Sequence, residues 1–379
     1  MSLILDEHRQ YLSDAARLAA FQRAIVETVR PGDVVLDLAC GTGILGLLAC
    51  RAGAARVYAV DDGSIIQMAR ALAQANGVAD RIHFIRGVST RIDLPERVDV
   101  VVCDQIGRMG FEAGVFELLQ DARRRFLKEN GRTIPTAIRF EIAAATSDDI
   151  RSRVDFWSSR PGGFDVSAGR TIAMNTGYPV DAPADALLSS GALFACAPVG
   201  TETVAPIEGS ASLSVMREGR LDALCAWFTA ELAAGVLMTN APGAHDRINR
   251  RHVLLPVASP VPVRVGDRVD VRIHVLPEDL LVTWVVVIRA AGGEERARSR
   301  QSTFRGMLIA DEDLAFTNPE AQPRLSVAGV ARRTVLELCD GRHSIGAIEQ
   351  ETFARHRELF PDAAAAAAFV AEVLTRYAC

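Results

Sequence analysis

Two acids eight positions apart, Asp104 and Glu112, bracket a loop that contains Gly107 and follows an apolar run, residues 98–103 (VDVVVC). If that run is a parallel strand, a carboxylate just past its carboxyl end faces the place where ligands gather. A pair of such carboxylates can orient a cationic nitrogen by charge-assisted hydrogen bonds while one of them takes its proton. Glu112 is read as that base and Asp104 as the orienting group. Each acid also suits a helix cap or a surface position, but a pair around a glycine-containing loop weighs toward chemistry.

What those acids would face is set by residues 34–46, VVLDLACGTGILG. The run VVLDL has the texture of a buried parallel strand. It enters a turn with Gly41 and Gly43, and apolar residues at helical spacing follow. Strand, glycine turn and helix in that order bring backbone amides and a helix N-terminus to one spot. The glycines alone also meet the dinucleotide pattern G-x-G-x-x-G through Gly41, Gly43 and Gly46. Asp37 argues otherwise, since it would repel a pyrophosphate but suits the ammonium of an amino-acid moiety. Asp61, ending the next strand-like run (VYAVD), is placed to accept hydrogen bonds from ribose hydroxyls. Together they favour S-adenosyl-L-methionine over NAD.

The supporting elements follow from periodicity. Residues 6–29 read as one N-terminal helix, stopped by Pro31-Gly32. Strands 34–38, 56–60, 82–86 and 98–103 then alternate with helices 43–52, 64–76 and 113–127, a doubly wound, Rossmann-like α/β pattern. From 136 to 310 the helical period gives way to short runs broken by Pro, Gly and Asn, which predict a β-barrel or sandwich. Residues 147–190, richer in polar side chains, read as an inserted arm. Beyond 311 three helices are expected at 327–339, 344–354 and 363–377, with Ser344 capping the second. The expected domains are therefore 1–135, 136–310 and 311–379.

Bulk composition narrows the function classes. A net charge of -5 and no long basic run exclude a protein built to grip nucleic-acid backbone. No apolar run is long enough to span a bilayer, so no membrane partner is expected. The seven cysteines form no CxxC pair and sit mostly among apolar neighbours. They predict a reducing, cytoplasmic setting and no metal site.

The motifs VVLDLACGTGILG, VYAVD, VDVVVCDQIG and ARRRFLKENGRTIP, ahead of a β-rich half, resemble the protein arginine methyltransferases over roughly residues 8–310. That resemblance implies a class I methyltransferase domain plus a β-barrel, and a homodimer made through an arm such as 147–190. It implies that His8 and Arg17, in DEHRQYLSDAARLAAF, hold the cofactor, with Arg17 taking its carboxylate. It places Gly41, Gly43 and Asp61 at the cofactor, and Ser89 and Thr90 at the adenine, Thr90 replacing an acid. It matches Asp104 and Glu112 to the two glutamates that clamp the substrate guanidinium. Arg247-Ile248-Asn249 stand where the family has a Thr-His-Trp loop, which leaves Asp14 without its usual histidine. The stretch LELCDGRHSIGAIEQETFARHRELFP resembles PqqD-like winged-helix modules, which implies a leader peptide as partner; a structural cap on the barrel or a dimer contact is the other reading.

The expected function is an S-adenosylmethionine-dependent N-methyltransferase acting on an amine or guanidinium of a peptide or small metabolite in natural-product biosynthesis. Protein arginine methylation is the alternative, and a peptide-binding module with an inactive catalytic half a further one.

Overall fold

The computed structural model describes residues 4–308, 320 and 322–378. The chain forms two compact units, 1–307 and 308–379, so the stretches before and after residue 135 share one unit.

The first unit opens with α1 (Ile4–Ser13) and α2 (Ala15–Thr28). The single helix expected over 6–29 is in fact two, because Asp14 leaves the helical conformation and accepts the Arg17 amide as an N-cap at 3.0 Å. A parallel sheet follows, built from β1 (Val34–Leu38), β2 (Arg56–Asp61), β3 (Ile82–Arg86), β4 (Val98–Cys103) and β5 (Leu127–Ile134), in the order β3-β2-β1-β4-β5. The helices α3 (Ile44–Arg51), α4 (Ile66–Ala75) and α5 (Val115–Arg125) make the crossovers. All five residues of β1 are buried, as a strand covered on both faces requires. Because β1 neighbours β2 on one side and β4 on the other, chain direction across the sheet reverses between β1 and β4, and the crevice opens beyond Leu38 and its register partner Cys103.

The β-rich half begins with β6 (Ala137–Ala145). After α6 (Asp148–Asp155), α7 (Ala168–Met174) and β7 (Tyr178–Val180), the strands β8 (Ala192–Pro198), β9 (Ile207–Ser214), β10 (Gly219–Ala233), β11 (Val236–Thr239), β12 (His252–Val263), β13 (Arg268–Leu276), β14 (Leu281–Arg289) and β15 (Glu295–Ser302) complete it. They form two antiparallel sheets, β7-β12-β10-β6-β8 with β11 on β10, and β15-β14-β13-β9. One apolar core runs from the parallel sheet through both. Trp284, fully buried on β14, donates to Pro256 O on β12 at 2.8 Å and ties the two antiparallel sheets together. The expected arm does not stand free. Ile150, Val154, Ala173 and Met174 are buried with Trp227 and Leu254 against β10 and β12, while Phe156 and Phe164 stay exposed.

The second unit holds α8 (Val327–Leu338), α9 (Ile345–Arg355) and α10 (Ala363–Tyr377) around Val335, Ile348, Val370 and Val373. Ser326, Ser344 and Asp362 cap the three N-termini through their side chains. Its described residues include no strand, so they contain no β-wing to complete a winged helix. Among the described residues no helix is long and apolar enough to cross a membrane.

Candidate active site

A cavity of about 630 Å³ lies over the crevice between β1 and β4. Its lining brings together His8 and Tyr11 of α1, Arg17 of α2, Gly41 in the first turn, Asp104 and Arg108 of the loop after β4, and Arg250 and Arg251 just before β12.

The turn after β1 is shaped for close approach. Gly41 has φ +53°, and a Cβ there would lie 2.7 Å from His8 Cε1. A side chain at 41 would therefore fill the space between the turn and α1. The Gly41 amide donates to Asp61 Oδ2 at 2.8 Å, and the Gly63 amide donates to Asp61 Oδ1 at the same distance. Two amides thus hold the Asp61 carboxylate in one orientation and leave it lone pairs for hydroxyl donors. Arg17 is nearly buried, its guanidinium flanked by the Tyr11 and Phe21 rings at 5.7 and 5.4 Å. These residues fit S-adenosylmethionine: a cation for its carboxylate, an acid for its ribose, and a glycine turn between them. Ser89 and Thr90 lie in a short turn after β3, held by Arg125, whose guanidinium binds the carbonyls of Ser89 and Ile92. They are not among the cavity's lining residues; Gly43 and Asp61 are not either, but they adjoin it, Gly43 between the lining residues Thr42 and Ile44 and Asp61 through the Gly41 amide.

Asp37 is corrected by its surroundings. It is fully buried, and its Oδ2 accepts the Gly46 amide at 2.8 Å, in the first turn of α3. Its carboxylate therefore braces the helix from beneath the turn, whereas an ammonium partner would have to reach a group with no accessible surface. Burial pushes the Asp37 carboxyl up to about 7, and the neighbouring Asp61 adds to the shift.

Asp104 occupies the floor of the cavity. Arg17 Nε reaches its Oδ2 at 2.5 Å, and Arg250 Nη2 lies 3.3 Å from Oδ2 and 3.4 Å from Oδ1. The three side chains are 8, 11 and 12% exposed for Arg17, Asp104 and Arg250. Burial alone would raise the Asp104 carboxyl, but the guanidiniums of Arg250 and then Arg17 hold it below the ordinary aspartate value. Among the described residues Oδ1 has only the long Arg250 contact, and it keeps capacity for another donor.

The second expected acid is elsewhere. Glu112 Oε1 accepts the amides of Arg108 and Met109 at 2.6 and 3.0 Å, and Oε2 accepts those of Met109 and Phe111 at 3.1 and 3.3 Å. The carboxylate closes its own loop and does not line the cavity. Gly107 makes this possible, because with φ +83° a Cβ there would meet Glu112 Oε2 at 2.5 Å. The structure therefore does not bring Asp104 and Glu112 together as a pair, since the loop amides outnumber any single cation as partners for Glu112.

Two residues that the sequence did not single out complete the site. Arg250 pairs with Asp104 and also donates to Gly107 O at 3.2 Å. Asn240, fully buried, donates to Arg108 O at 2.8 Å and to Arg251 O at 3.0 Å, and so joins the loop after β4 to the strand entering β12. The signal for Arg250 was the cluster Arg247, Arg250, Arg251 in a polar loop between strands. Asp14 is likewise engaged, its Oδ2 accepting the Asn249 amide at 2.7 Å, so a backbone donor pairs with it where the resemblance would place a histidine.

Comparison with known proteins bears on the family and the fold. Residues 19–147 match the model of the ribosomal protein L11 methyltransferase family. A protein named arginine N(omega)-methyltransferase from Streptomyces achromogenes subsp. streptozoticus is 29% identical over 273 residues, covering 70% of this chain and 75% of its own length. Protein arginine N-methyltransferase 6 of Danio rerio is 30% identical over 288 residues, 72% of this chain and 82% of its own. The fold is shared with the Trypanosoma brucei PRMT1 enzyme–prozyme complex with AdoHcy, at a TM-score of 0.69, 21% identity, and coverage of 78% of this chain and 97% of that one. Arabidopsis thaliana protein arginine methyltransferase 10 superposes with a TM-score of 0.68 at 22% identity, covering 79% of this chain and 98% of its own.

Proposed function

We propose that this chain, which belongs to the protein arginine N-methyltransferase family, methylates a guanidinium nitrogen of arginine. The chain is an S-adenosylmethionine-dependent N-methyltransferase; the acceptor is what the site must argue. The observation that carries it is Asp104, a nearly buried carboxylate at the mouth of the β1–β4 crevice that already pairs with two guanidiniums and has Oδ1 in reserve. The names of the relatives point the same way, and both favour a guanidinium over a simple amine.

Bound S-adenosylmethionine supplies a methyl group made electrophilic by the sulfonium. Arg17 offers the counter-charge for the donor's carboxylate, and Asp61 the acceptor for its ribose hydroxyls. Asp104 Oδ1 takes an N–H of the arriving guanidinium, which draws positive charge toward that end and fixes the direction of the neighbouring nitrogen. The nitrogen that gains the methyl becomes a second cationic centre beside the first and sheds its proton readily. Even a carboxylate held below its ordinary pKa suffices to receive that proton and pass it to water. Glu112 acts through the loop: by holding the amides of Arg108, Met109 and Phe111 it keeps Asp104 facing the crevice.

The test is to incubate the full chain with the methyl donor and arginine-containing acceptors and to locate the methyl by fragmentation mass spectrometry. A methyl on a terminal guanidinium nitrogen is expected; a methyl found only on an α- or side-chain amine contradicts the reading. The family resemblance also supports a homodimer through residues 147–190, which light scattering of the full chain tests.

A further inference from the structure

We infer that the acceptor carries a carboxylate, bound by Arg108 and Arg251 at the cavity rim, so that arginine enters with a free α-carboxylate and not from the interior of a polypeptide. This rests on the guanidinium reading above and adds the recognition of the acceptor's other end.

The charges lining the cavity are unequal. Arg250 pairs with Asp104, and Arg17 pairs with Asp104 and is assigned to the donor's carboxylate. Asp181 pairs with Arg247, and Glu7 accepts the Tyr11 hydroxyl at 3.3 Å. Arg108 and Arg251 remain: both are exposed at the cavity, and the guanidinium of neither pairs or hydrogen-bonds with any described residue. They are also a built pair. The buried Asn240 amide holds both their backbone carbonyls, so the two residues are anchored at one point, although Arg251 also borders the neighbouring cavity that Asp149 and Asp181 line. Two exposed guanidiniums that pair with no described acid suit a carboxylate, which each can bind through paired N–H donors. They oppose a basic peptide, whose flanking cations would meet them at close range. An arginine with a free carboxylate satisfies both ends at once, its guanidinium on Asp104 and its carboxylate on the rim.

The test uses the full chain with the methyl donor and a set of acceptors of equal guanidinium chemistry: L-arginine, L-argininamide, agmatine, a blocked peptide with internal arginine, and a peptide ending in arginine. L-Arginine is expected to exceed agmatine and L-argininamide at least tenfold in kcat/KM. The double variant Arg108→Ala, Arg251→Ala, checked for an unchanged thermal midpoint, is expected to narrow that ratio to under threefold, mainly through KM. Comparable turnover of the peptide ending in arginine assigns the carboxylate to a chain terminus, and its absence assigns it to the free amino acid; either supports the inference. Agmatine or the internal-arginine peptide equal to L-arginine in the wild type overturns it and leaves guanidinium methylation standing. Methylation of none of these compounds overturns the guanidinium reading, and this inference with it.

Discussion

The guanidinium of Arg250, arriving from the strand that enters β12, lies 3.3 Å from Oδ2 of Asp104 at the end of β4. This contact joins the β-rich half to the methyltransferase sheet at the reaction centre, and it makes the charge of Asp104 depend on both halves. Removing Arg250 leaves Asp104 with Arg17 alone. The variant Arg250→Ala should lose roughly 1–3 kcal/mol of stability, below the cost of stripping a buried charge of every partner. With one positive neighbour gone, the Asp104 carboxyl rises, so the acid limb of kcat/KM against pH should move to higher pH. Arg250→Lys should restore part of that shift, though not the contact with Gly107 O. An acid limb that stays in place in Arg250→Ala would show that the pair does not set the ionisation of Asp104.

Glu112 is expected to matter through geometry. In Glu112→Gln one of the two oxygens becomes a donor facing the loop amides, at a cost of about 1.5–3 kcal/mol for hydrogen bonds to a charged group. Turnover should fall about a hundredfold while donor affinity, read by calorimetry, stays within about threefold. Gly107→Ala should reproduce the same pattern, because its Cβ would displace the same carboxylate. If Gly107→Ala leaves kcat intact while Glu112→Gln abolishes it, Glu112 acts on the acceptor directly and not through the loop.

Asp37 predicts a pH dependence of stability. Its carboxyl stands at about 7 in the folded protein against an ordinary 3.8. A raised folded pKa gives stability that is complete below the ordinary value and is lost as pH climbs through about 7. Asp37→Asn keeps an acceptor for the Gly46 amide without the buried charge. Its stability relative to wild type should therefore improve by about 2–3 kcal/mol between pH 5 and pH 8. A difference that does not change across that range would show that Asp37 is not protonated in the native state at pH 5.

The C-terminal unit has its own core and its own capped helices. Deleting residues 322–379 should leave kcat/KM for a small guanidino acceptor within about twofold, as expected of a unit that folds around its own core. A loss confined to a leader-bearing peptide would assign that unit to recruitment, and a loss on every acceptor would place it in catalysis.

Much of the architecture was legible because the parallel strands are short, apolar and punctuated by glycine. The runs at 82–86 and 98–103 coincide with β3 and β4. The three C-terminal helices announce themselves through caps such as Ser344. Other elements were hidden for physical reasons. The break at Asp14 hardly disturbs the helical spacing on either side, so α1 and α2 read as one. The strand β5, LKENGRTI, carries polar residues through its middle, and as the last strand of its sheet it needs no continuous apolar run. The strand β15, ERARSRQS, alternates arginine with small or polar residues, so no apolar stripe marks it. At the site, residue type and strand position led to Asp104, which the end of β4 places in the cavity lining. They failed for Glu112 and Asp37, whose carboxylates are claimed by backbone amides that only the folded turn presents. Arg250 meets Asp104 across 146 positions of chain, a distance over which local pattern carries no information.

The most direct measurement of the central claim is kcat/KM of Asp104→Asn for a guanidino acceptor, beside its donor affinity. Asparagine keeps the shape but cannot hold a cation by charge. The account predicts a loss of about a hundred- to a thousandfold in kcat/KM, the scale of one preorganised electrostatic group, with donor affinity near wild type. Turnover of Asp104→Asn within tenfold of wild type would contradict it.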